Sequence, residues 1–210
     1  GETRGAHGEV RLWAISNVPH RVETLGMRVV ETALPEVLLV EPDVFGDERG
    51  YFQEIWRHEK YIEAGIAAPF VQDNMSRSSK GVLRGLHYQE PHAQGKLVQV
   101  IAGAVFDVAV DIRRGSDTFG RWVGEILSAE NHRQLWVPPG FAHGFCVVSD
   151  TADFIYKCTT PYRPMDEHAI RYDDPAIGID WPAVTPRLSE RDESAPLLRD
   201  AATLPEFVRV

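Results

Sequence analysis

Short apolar runs recur along the chain after Met27, and in one of them apolar residues alternate with polar or small ones at a period of two, which is the pattern of a β-strand with one apolar face. The clearest run alternates apolar residues with aspartate and alanine: Phe106, Asp107, Val108, Ala109, Val110, Asp111 and Ile112. Further short apolar runs predict strands at 37–40, 96–101, 134–137, 144–148 and 154–159. Ala102-Gly103 lies between two of these runs and predicts a hairpin there. Short strands separated by Gly and Pro predict an all-β sandwich or barrel.

Only two segments have a helical pattern. Residues 57–65 predict a short helix that ends at Gly65 as its C-cap, and 189–192 predict a second one. Residues 1–26 show no clear period, and Met27 is compatible with a natural start. The sequence therefore predicts an N-terminal extension at 1–26 and a single domain over 27–210.

The composition is that of a folded globular protein. The 210 residues, 43% hydrophobic and 25% charged, suit one domain with a sizeable core. The longest aliphatic run, 37–40, is far shorter than the roughly 20 residues of a membrane-spanning helix. No basic stretch followed by an apolar one opens the chain, so no secretory signal is expected. Cys146 and Cys158 are therefore expected to be buried thiols in a cytoplasmic protein, not a disulfide.

The net charge of −9 disfavours nonspecific binding to nucleic acid. Between 77 and 96, however, several cationic residues are accompanied by only one acidic residue, Glu90. These cations are Arg77, Lys80, Arg84 and Lys96. Two interpretations stay open for this segment, a local site for an anionic ligand and a solvated loop.

The densest group of residues that could perform chemistry is 84–89, Arg-Gly-Leu-His-Tyr-Gln. In a regular strand Arg84 faces one side and His87 the other. His87 is a candidate general base because an imidazole titrates near the working pH of most enzymes. A histidine with a purely structural role is the alternative.

Two pairs of polar residues have alternative interpretations. Asp107 and Asp111 share one face of their strand, which either lines a ligand cavity or faces solvent. Tyr156 and Tyr162 lie on either side of a short polar segment. A phenol can act as a general acid, but tyrosines in strands more often pack with a satisfied hydroxyl.

The segment 138–145, Pro-Pro-Gly-Phe-Ala-His-Gly-Phe, resembles the second histidine motif of the cupin superfamily, in which a turn places His143 inside a barrel. Metal-binding cupins also need a first motif with two histidines one residue apart and a glutamate. Here His87 is followed by Tyr88 and Gln89, and the next histidine is His92. Because a transition metal needs three or four ligands in fixed geometry, the sequence predicts a cupin-like barrel without a catalytic metal.

These segments together resemble the dTDP-4-dehydrorhamnose 3,5-epimerase family between about 32 and 198. The motifs, in order, are FGDERGYF at 45–52, FVQDN at 70–74, VLRGLHYQ at 82–89, QGKLV at 94–98, VFDVAVDIR at 105–113, PGFAHGF at 139–145, YK at 156–157, AIGIDWP at 176–182 and LS at 188–189 with Asp192. The resemblance implies a cupin-like double-stranded β-helix, or jelly-roll barrel, that forms a homodimer. It also implies epimerisation of dTDP-4-dehydro-6-deoxy-D-glucose to dTDP-4-dehydro-L-rhamnose without a metal or redox cofactor.

The resemblance assigns catalytic roles residue by residue. His87 matches the base, and Asp192 the carboxylate that orients it. Tyr156 matches the acid on the opposite face of the sugar, and Lys96 a residue near the developing enolate oxygen. The matches to substrate-contacting positions are Arg49, Glu54, Gln72, Asn74, Arg84, His143, Tyr162, Glu167 and Arg191.

Some positions depart from the family pattern, and other functions stay open. Arg191 replaces a common lysine with charge kept, whereas Thr160-Pro161 replaces the usual Asn-Tyr and could alter how the nucleotide or sugar is held. The nearest alternative is a single-centre epimerase, at C3 or C5, or a ketoisomerase of a related dTDP-ketosugar. A metal-dependent cupin dioxygenase and a noncatalytic sugar-binding cupin are the alternatives from other classes.

Overall fold

The computed structural model describes residues 21–24, 26–67, 69–182 and 185–208, and strands dominate it. In chain order the strands are β1 Arg21–Thr24, β2 Met27–Glu31, β3 Leu38–Pro42, β4 Val44–Asp47, β5 Gly50–Gln53, β6 Gln72–Ser79, β7 Leu83–Gln89, β8 Lys96–Ala102, β9 Ala104–Asp111, β10 Trp122–Ser128, β11 Gln134–Val137, β12 Phe141–Val147, β13 Thr151–Cys158 and β14 Glu167–Ala169. The helices are α1 His58–Glu63, α2 Glu190–Glu193 and a 3₁₀-helix Leu198–Asp200.

Two antiparallel sheets face each other. The seven-stranded sheet has the order β1-β2-β3-β11-β8-β13-β6, and the five-stranded sheet has the order β10-β9-β12-β7-β14. The main core lies between them and combines side chains from both, such as Val98 and Leu135 from one sheet and Ala109 and Phe145 from the other. The all-β, cupin-like jelly-roll barrel predicted from the sequence is confirmed. β4 and β5 form a separate two-stranded hairpin.

The outer faces of both sheets are also covered. The segment after β14 packs Ile170 and Leu198 onto the outer side of the five-stranded sheet. Helix α1 packs Tyr61 onto the outer side of the seven-stranded sheet. The strand that alternates so clearly in the sequence, β9, is therefore buried on both sides, and Asp107 and Asp111 are completely inaccessible. This burial excludes the interpretation of their face as a solvent-exposed one.

The predicted hairpin at Ala102-Gly103 is wrong. β8 and β9 follow each other in the chain but belong to different sheets, so this turn is a corner at which the chain crosses the barrel. Gly103 has a φ of +74°, and a Cβ there would lie 1.9 Å from the Thr151 carbonyl oxygen. A hairpin and a sheet-crossing corner both favour a glycine at positive φ, so the turn residues alone do not distinguish them.

Both predicted helices are confirmed within a residue or two. At the end of α1, Gly65 adopts a φ of +89°. Its N–H donates to the Ile62 carbonyl and the Ile66 N–H donates to the Tyr61 carbonyl, at 3.0 and 2.8 Å. This pair of bonds is a Schellman motif, which glycine favours. Helix α2 begins after Ser189, whose hydroxyl oxygen accepts the Asp192 N–H at 3.2 Å.

The predicted N-terminal extension lies mostly outside the described residues, since nothing is described before Arg21. β1 falls inside the predicted segment 1–26 and pairs with β2, so the sheet begins before Met27. Cys146 and Cys158 are buried free thiols, as expected. In the described ranges, no helix is long and apolar enough to cross a membrane.

Candidate active site

A cavity of about 340 Å³ opens between the two sheets, and side chains from both of them line it. The lining residues are Gln72, Asn74, Ser76, Arg84, His87, Gln94, Lys96, His143, Phe145, Phe154, Tyr156, Tyr162 and Glu167. Most of the residues that the sequence nominated therefore converge on one cavity. Arg191 and Asp192 stand directly behind it, whereas Arg49 and Glu54 are not among its lining residues.

A bulge in β7 brings Arg84 and His87 to the same side of the sheet. His87 lies opposite His143 on β12, but Arg84 lies opposite Phe145, so three steps along β7 match two along β12. The extra residue reverses the alternation. The prediction that Arg84 and His87 face opposite sides is thus wrong, since both line the cavity. Gly85 permits this bulge because it has a φ of +127° and lies against the Gly144 backbone.

His87 forms a tight pair with a buried carboxylate. Its Nε2 lies 2.6 Å from Oδ1 of Asp192, which belongs to α2 at the other end of the sequence. Burial alone would raise the pKa of the Asp192 carboxyl, but hydrogen bonds from His87, Ser189 and the Gly85 N–H lower it below the usual range. The ionised aspartate can therefore orient the imidazole and stabilise its protonated form, as a base requires.

His143 forms a second pair of this kind. Its Nε2 lies 3.0 Å from both carboxyl oxygens of Asp107, one strand away on β9. Burial raises the pKa of Asp107 above its usual range, while His143 and Lys96 partly oppose this. Sequence reasoning did not pair these two residues, although it placed Asp107 on the polar face of β9.

Lys96 carries its ammonium group into the buried part of the cavity. Burial lowers the pKa of Lys96, and the nearby Cys158, Glu167 and Asp107 side chains oppose this shift. Among the residues that the structure describes, no carboxylate lies within ion-pair distance of its Nζ. Its donors are thus available to an oxygen atom of a ligand.

Tyr156 is on the sheet opposite His87. Burial raises the pKa of the Tyr156 phenol, with further contributions from Cys158 and Glu167, so the phenol keeps its proton through the neutral range. Its ring packs at 5.9 Å from the ring of Phe154. The His87 imidazole on one sheet and the protonated Tyr156 phenol on the other therefore both line the cavity.

Glu167 on β14 forms hydrogen bonds with two other residues at one wall of the cavity. Its carboxylate accepts a 2.6 Å hydrogen bond from the Tyr162 hydroxyl and a second one from the Arg191 guanidinium. Burial would raise the pKa of Glu167, but these two donors and the Arg191 charge lower it. Glu167 is therefore an ionised acceptor at the rim of the cavity.

Polar side chains of β6 form another part of the wall. Gln72, Asn74 and Ser76 alternate along the strand and all point into the cavity. Gln72 Oε1 accepts the Tyr162 N–H at 2.8 Å. Sequence reasoning missed Ser76 and Gln94. The alternation that starts at Gln72 could have found Ser76, but Gln94 precedes its strand and carries no such signal.

Arg49 and Glu54 lie elsewhere. Arg49 is 84% exposed and pairs with Asp47 on the β4–β5 hairpin. Glu54 forms a 2.6 Å ion pair with Lys60 of α1. The single chain therefore does not bring these two predicted substrate contacts to its own cavity, and their role stays a prediction.

The fold and the cavity are those of a cupin-like barrel with polar and titratable side chains gathered between its two sheets. The profile of the dTDP-4-dehydrorhamnose 3,5-epimerase family matches residues 31–200. The Shigella flexneri dTDP-4-dehydrorhamnose 3,5-epimerase is 57% identical over 177 residues, which are 83% of this chain and 98% of that protein. The Pseudomonas aeruginosa enzyme of the same name is 55% identical over 181 residues, 85% of this chain and all (100%) of that one. The chain belongs to the dTDP-4-dehydrorhamnose 3,5-epimerase family.

A solved structure extends this likeness to three dimensions. The crystal structure of dTDP-6-deoxy-D-glucose-3,5-epimerase from Legionella pneumophila, in complex with dTDP-4-keto-L-rhamnose, superimposes with a TM-score of 0.85. It is 56% identical, and the match covers 87% of this chain and 100% of that one. The family and the fold expected from the sequence motifs are thus both confirmed.

Proposed function

We propose that the protein inverts C3 and C5 of dTDP-4-dehydro-6-deoxy-D-glucose to give dTDP-4-dehydro-L-rhamnose. The observation that carries this proposal is the placement of His87 and Tyr156 on opposite sheets, with Lys96 in the cavity between them. Inversion of a carbon needs a base on one face and an acid on the other. The relatives named for this reaction, and the one solved with dTDP-4-keto-L-rhamnose, support the choice of substrate.

The chemistry assigns one step to each group. The C4 ketone acidifies the hydrogens on C3 and C5, and His87 removes one of them as a proton, leaving an enolate. Asp192 stabilises the resulting imidazolium. Lys96 stabilises the enolate oxygen, an interaction that strengthens as charge develops and is worth several kcal/mol in a dry site. Tyr156 donates its proton to the opposite face of the carbon. Exchange with solvent then removes the proton from His87 and returns one to the Tyr156 phenolate, and the sequence repeats at the second centre.

The remaining lining residues bind the substrate in this proposal. Arg84 Nε donates to Ser78 Oγ at 3.1 Å, and within the described part of the chain its other guanidinium nitrogens have no hydrogen-bond partner, so they can bind a diphosphate or sugar oxygen. Gln72 and Asn74 offer amides, and Glu167 offers an ionised acceptor for hydroxyl groups. No metal or redox cofactor enters any step. The buried free thiols of Cys146 and Cys158 support a cytoplasmic location.

Two copies of the chain are expected to work together. The β4–β5 hairpin exposes Phe45, Tyr51 and Phe52, each more than 60% accessible, next to Arg49. Such an apolar surface is typical of an interface. The family resemblance assigns Arg49 to substrate binding, but Arg49 does not line the cavity of its own chain. We therefore expect the hairpin to reach the cavity of a second copy.

Hybrid dimers test this assembly. Arg49→Ala and His87→Ala should each be inactive alone, whereas mixing and refolding them should restore activity, because one hybrid site then has both residues. Sedimentation should show a dimer. A monomer, or a mixture that stays inactive, would contradict the sharing of sites.

The reaction itself is tested in heavy water. Incubation with dTDP-4-dehydro-6-deoxy-D-glucose should place deuterium at both C3 and C5, as followed by mass spectrometry and NMR, with formation of the L-rhamno ketosugar. Deuterium at one carbon only would indicate a single-centre epimerase. Absence of exchange at both carbons would rule out the proposed reaction.

A further inference from the structure

The Gln89 side chain is buried at the end of β7 and is not among the residues that line the cavity. Gln89 is the last residue of its strand, lies opposite Glu167 on β14 and is only 5% exposed. Burial of an amide is costly unless its oxygen and its nitrogen both find hydrogen-bond partners. The partners of Gln89 lie in two loops beside the cavity.

The Gln89 amide bonds to backbone groups of these two loops. Its Nε2 donates to the His92 carbonyl at 3.0 Å and to the Pro161 carbonyl at 3.4 Å. Its Oε1 accepts the Arg163 N–H at 2.9 Å. Pro161 and Arg163 are the two neighbours of Tyr162 in the chain. One buried side chain therefore holds the backbone both before and after Tyr162.

Residues 161–163 belong to the connection between β13 and β14. The Tyr162 N–H donates to Gln72 Oε1 at 2.8 Å, and the backbone of its two neighbours bonds to Gln89. Three successive residues are thus held by glutamine side chains and not by a neighbouring strand. A segment that depends on so few contacts opens more readily when one of them is removed.

Tyr162 links this loop to the cavity. Its hydroxyl donates to Glu167 at 2.6 Å, and both side chains line the cavity. Tyr162 is 48% exposed and therefore stands at the rim, whereas Lys96 extends into the buried part. A dTDP-ketosugar whose ketone reaches Lys96 then meets Tyr162 with its nucleotide end.

We propose that Gln89 is a positioning residue, which fixes Tyr162 at the rim of the cavity in the conformation that binds the nucleotide. The inference rests on the proposed function, in which a dTDP-ketosugar is the substrate. Without the Gln89 bonds the loop has to be ordered when the ligand binds, and this ordering weakens binding. The catalytic groups His87, Tyr156 and Lys96 are carried by strands, so the chemical step should change little.

Gln89→Met keeps the length of the side chain and removes its hydrogen bonds. The Kd of dTDP, measured by isothermal titration calorimetry, and the KM of the ketosugar should each rise about 10-fold, with kcat within about 2-fold of the wild-type value. Gln99→Met is the matched control, because Gln99 is also 5% exposed, accepts a 3.1 Å bond from Gln134 and does not line the cavity. This control should lower stability and leave Kd and KM unchanged, as a merely structural role of Gln89 would.

A second substitution tests whether Gln89 acts through Tyr162. In a Tyr162→Ala background, Gln89→Met should weaken dTDP binding no further, because the residue that Gln89 positions is then missing. Losses that add up in the double variant would overturn the proposal.

Hydrogen exchange followed by mass spectrometry reports on the loop without any ligand. The peptide that covers 160–166 should exchange faster in Gln89→Met than in the wild-type protein or in Gln99→Met. Gln89→Glu keeps the acceptor for the Arg163 N–H and should fall between them, which preserves the test if the methionine variant does not fold.

Unchanged exchange, or faster exchange with an unchanged Kd of dTDP, would overturn the proposal whatever the Tm of the variant. A wild-type protein that binds dTDP but does not turn over the ketosugar would contradict the proposed function alone, because exchange and dTDP affinity still decide the role of Gln89. A wild-type protein that does not bind dTDP would overturn both.

Discussion

Two histidines lie opposite each other on neighbouring strands of the five-stranded sheet, and each contacts an aspartate. His87 meets Asp192 through one close contact of 2.6 Å, and its side chain is 26% exposed. His143 meets both oxygens of Asp107 at 3.0 Å and is 7% exposed. The first aspartate comes from a distant helix, the second from the adjacent strand.

The pKa values of the two carboxyl groups are shifted in opposite directions from that of an ordinary aspartate. Donors from three sides lower the pKa of Asp192 despite its burial, whereas complete burial outweighs the opposing effects of His143 and Lys96 and raises the pKa of Asp107. An ionised, hydrogen-bonded carboxylate can support a proton that moves onto its histidine, and a carboxyl that resists ionisation cannot do so as well. This contrast favours His87 over His143 as the proposed base, although the two pairs have the same composition.

The largest difference in turnover is expected between removal of His87 and removal of His143. His87→Ala should lower turnover and deuterium exchange about 10⁴-fold, because no other group replaces the base. His143→Ala, its matched control, should act mainly on KM. Both rates are measured by NMR in heavy water. Retention of more than about a tenth of the rate by His87→Ala would remove the assignment of the base.

Neutralising the two aspartates compares the pairs directly. Asp192→Asn should lower kcat about 10³-fold, because an amide holds the imidazole in the wrong tautomer and cannot stabilise its protonated form. Asp107→Asn should lower kcat far less. Steady-state kinetics of both variants check this, and equal losses would mean that the two pairs share the proton transfer.

Tyr156→Phe tests whether the Tyr156 phenol or His143 is the acid that returns a proton to the carbon. Epimerisation should fall about 10²-fold, while the first exchange of deuterium should fall less, because His87 still removes and returns a proton on its own face. Product formation and wash-in of deuterium are followed in the same sample. If both are unchanged, Tyr156 is a packing residue and His143 becomes the candidate acid.

The smallest effect concerns stability and pH. The raised pKa of Asp107 means that the folded state binds its proton more tightly than the unfolded state, so stability is lost as pH rises from about 4 through the raised value. Asp107→Asn removes this loss and should raise the free energy of unfolding near neutrality relative to the wild-type protein.

The contribution of Asp192 to stability changes with pH in the opposite direction. Its pKa is lowered on folding, so its contribution is present above about pH 4 and is lost as pH falls. Asp192→Asn should therefore destabilise the protein near neutrality, and its difference from wild type should shrink in acid. Urea unfolding across this pH range measures both variants. Parallel pH curves for the two would contradict the contrast between the carboxyl groups.

The local pattern of the sequence was enough to predict whether most segments form a strand or a helix. Alternation identified β9, a short apolar run identified β11, the Gly65 signal marked the end of α1, and Ser189 preceded α2. These features depend on contacts between residues a few positions apart, which a single sequence displays directly. The order of the motifs was sufficient to identify the family, and the residue types at His87 and Tyr156 named the chemistry.

The tertiary structure alone decided which of these residues meet. His87 and Asp192 are 105 positions apart, and no local pattern links them. The bulge at Gly85 reversed a side-chain alternation that the sequence predicted to be regular. The turn at Gly103 led to the other sheet, and the segment after β14 buried the outer face of β9. Strand pairing and burial depend on distant parts of the chain. The sequence could therefore nominate the candidate catalytic groups, and only the folded barrel set one histidine–aspartate pair apart from the other.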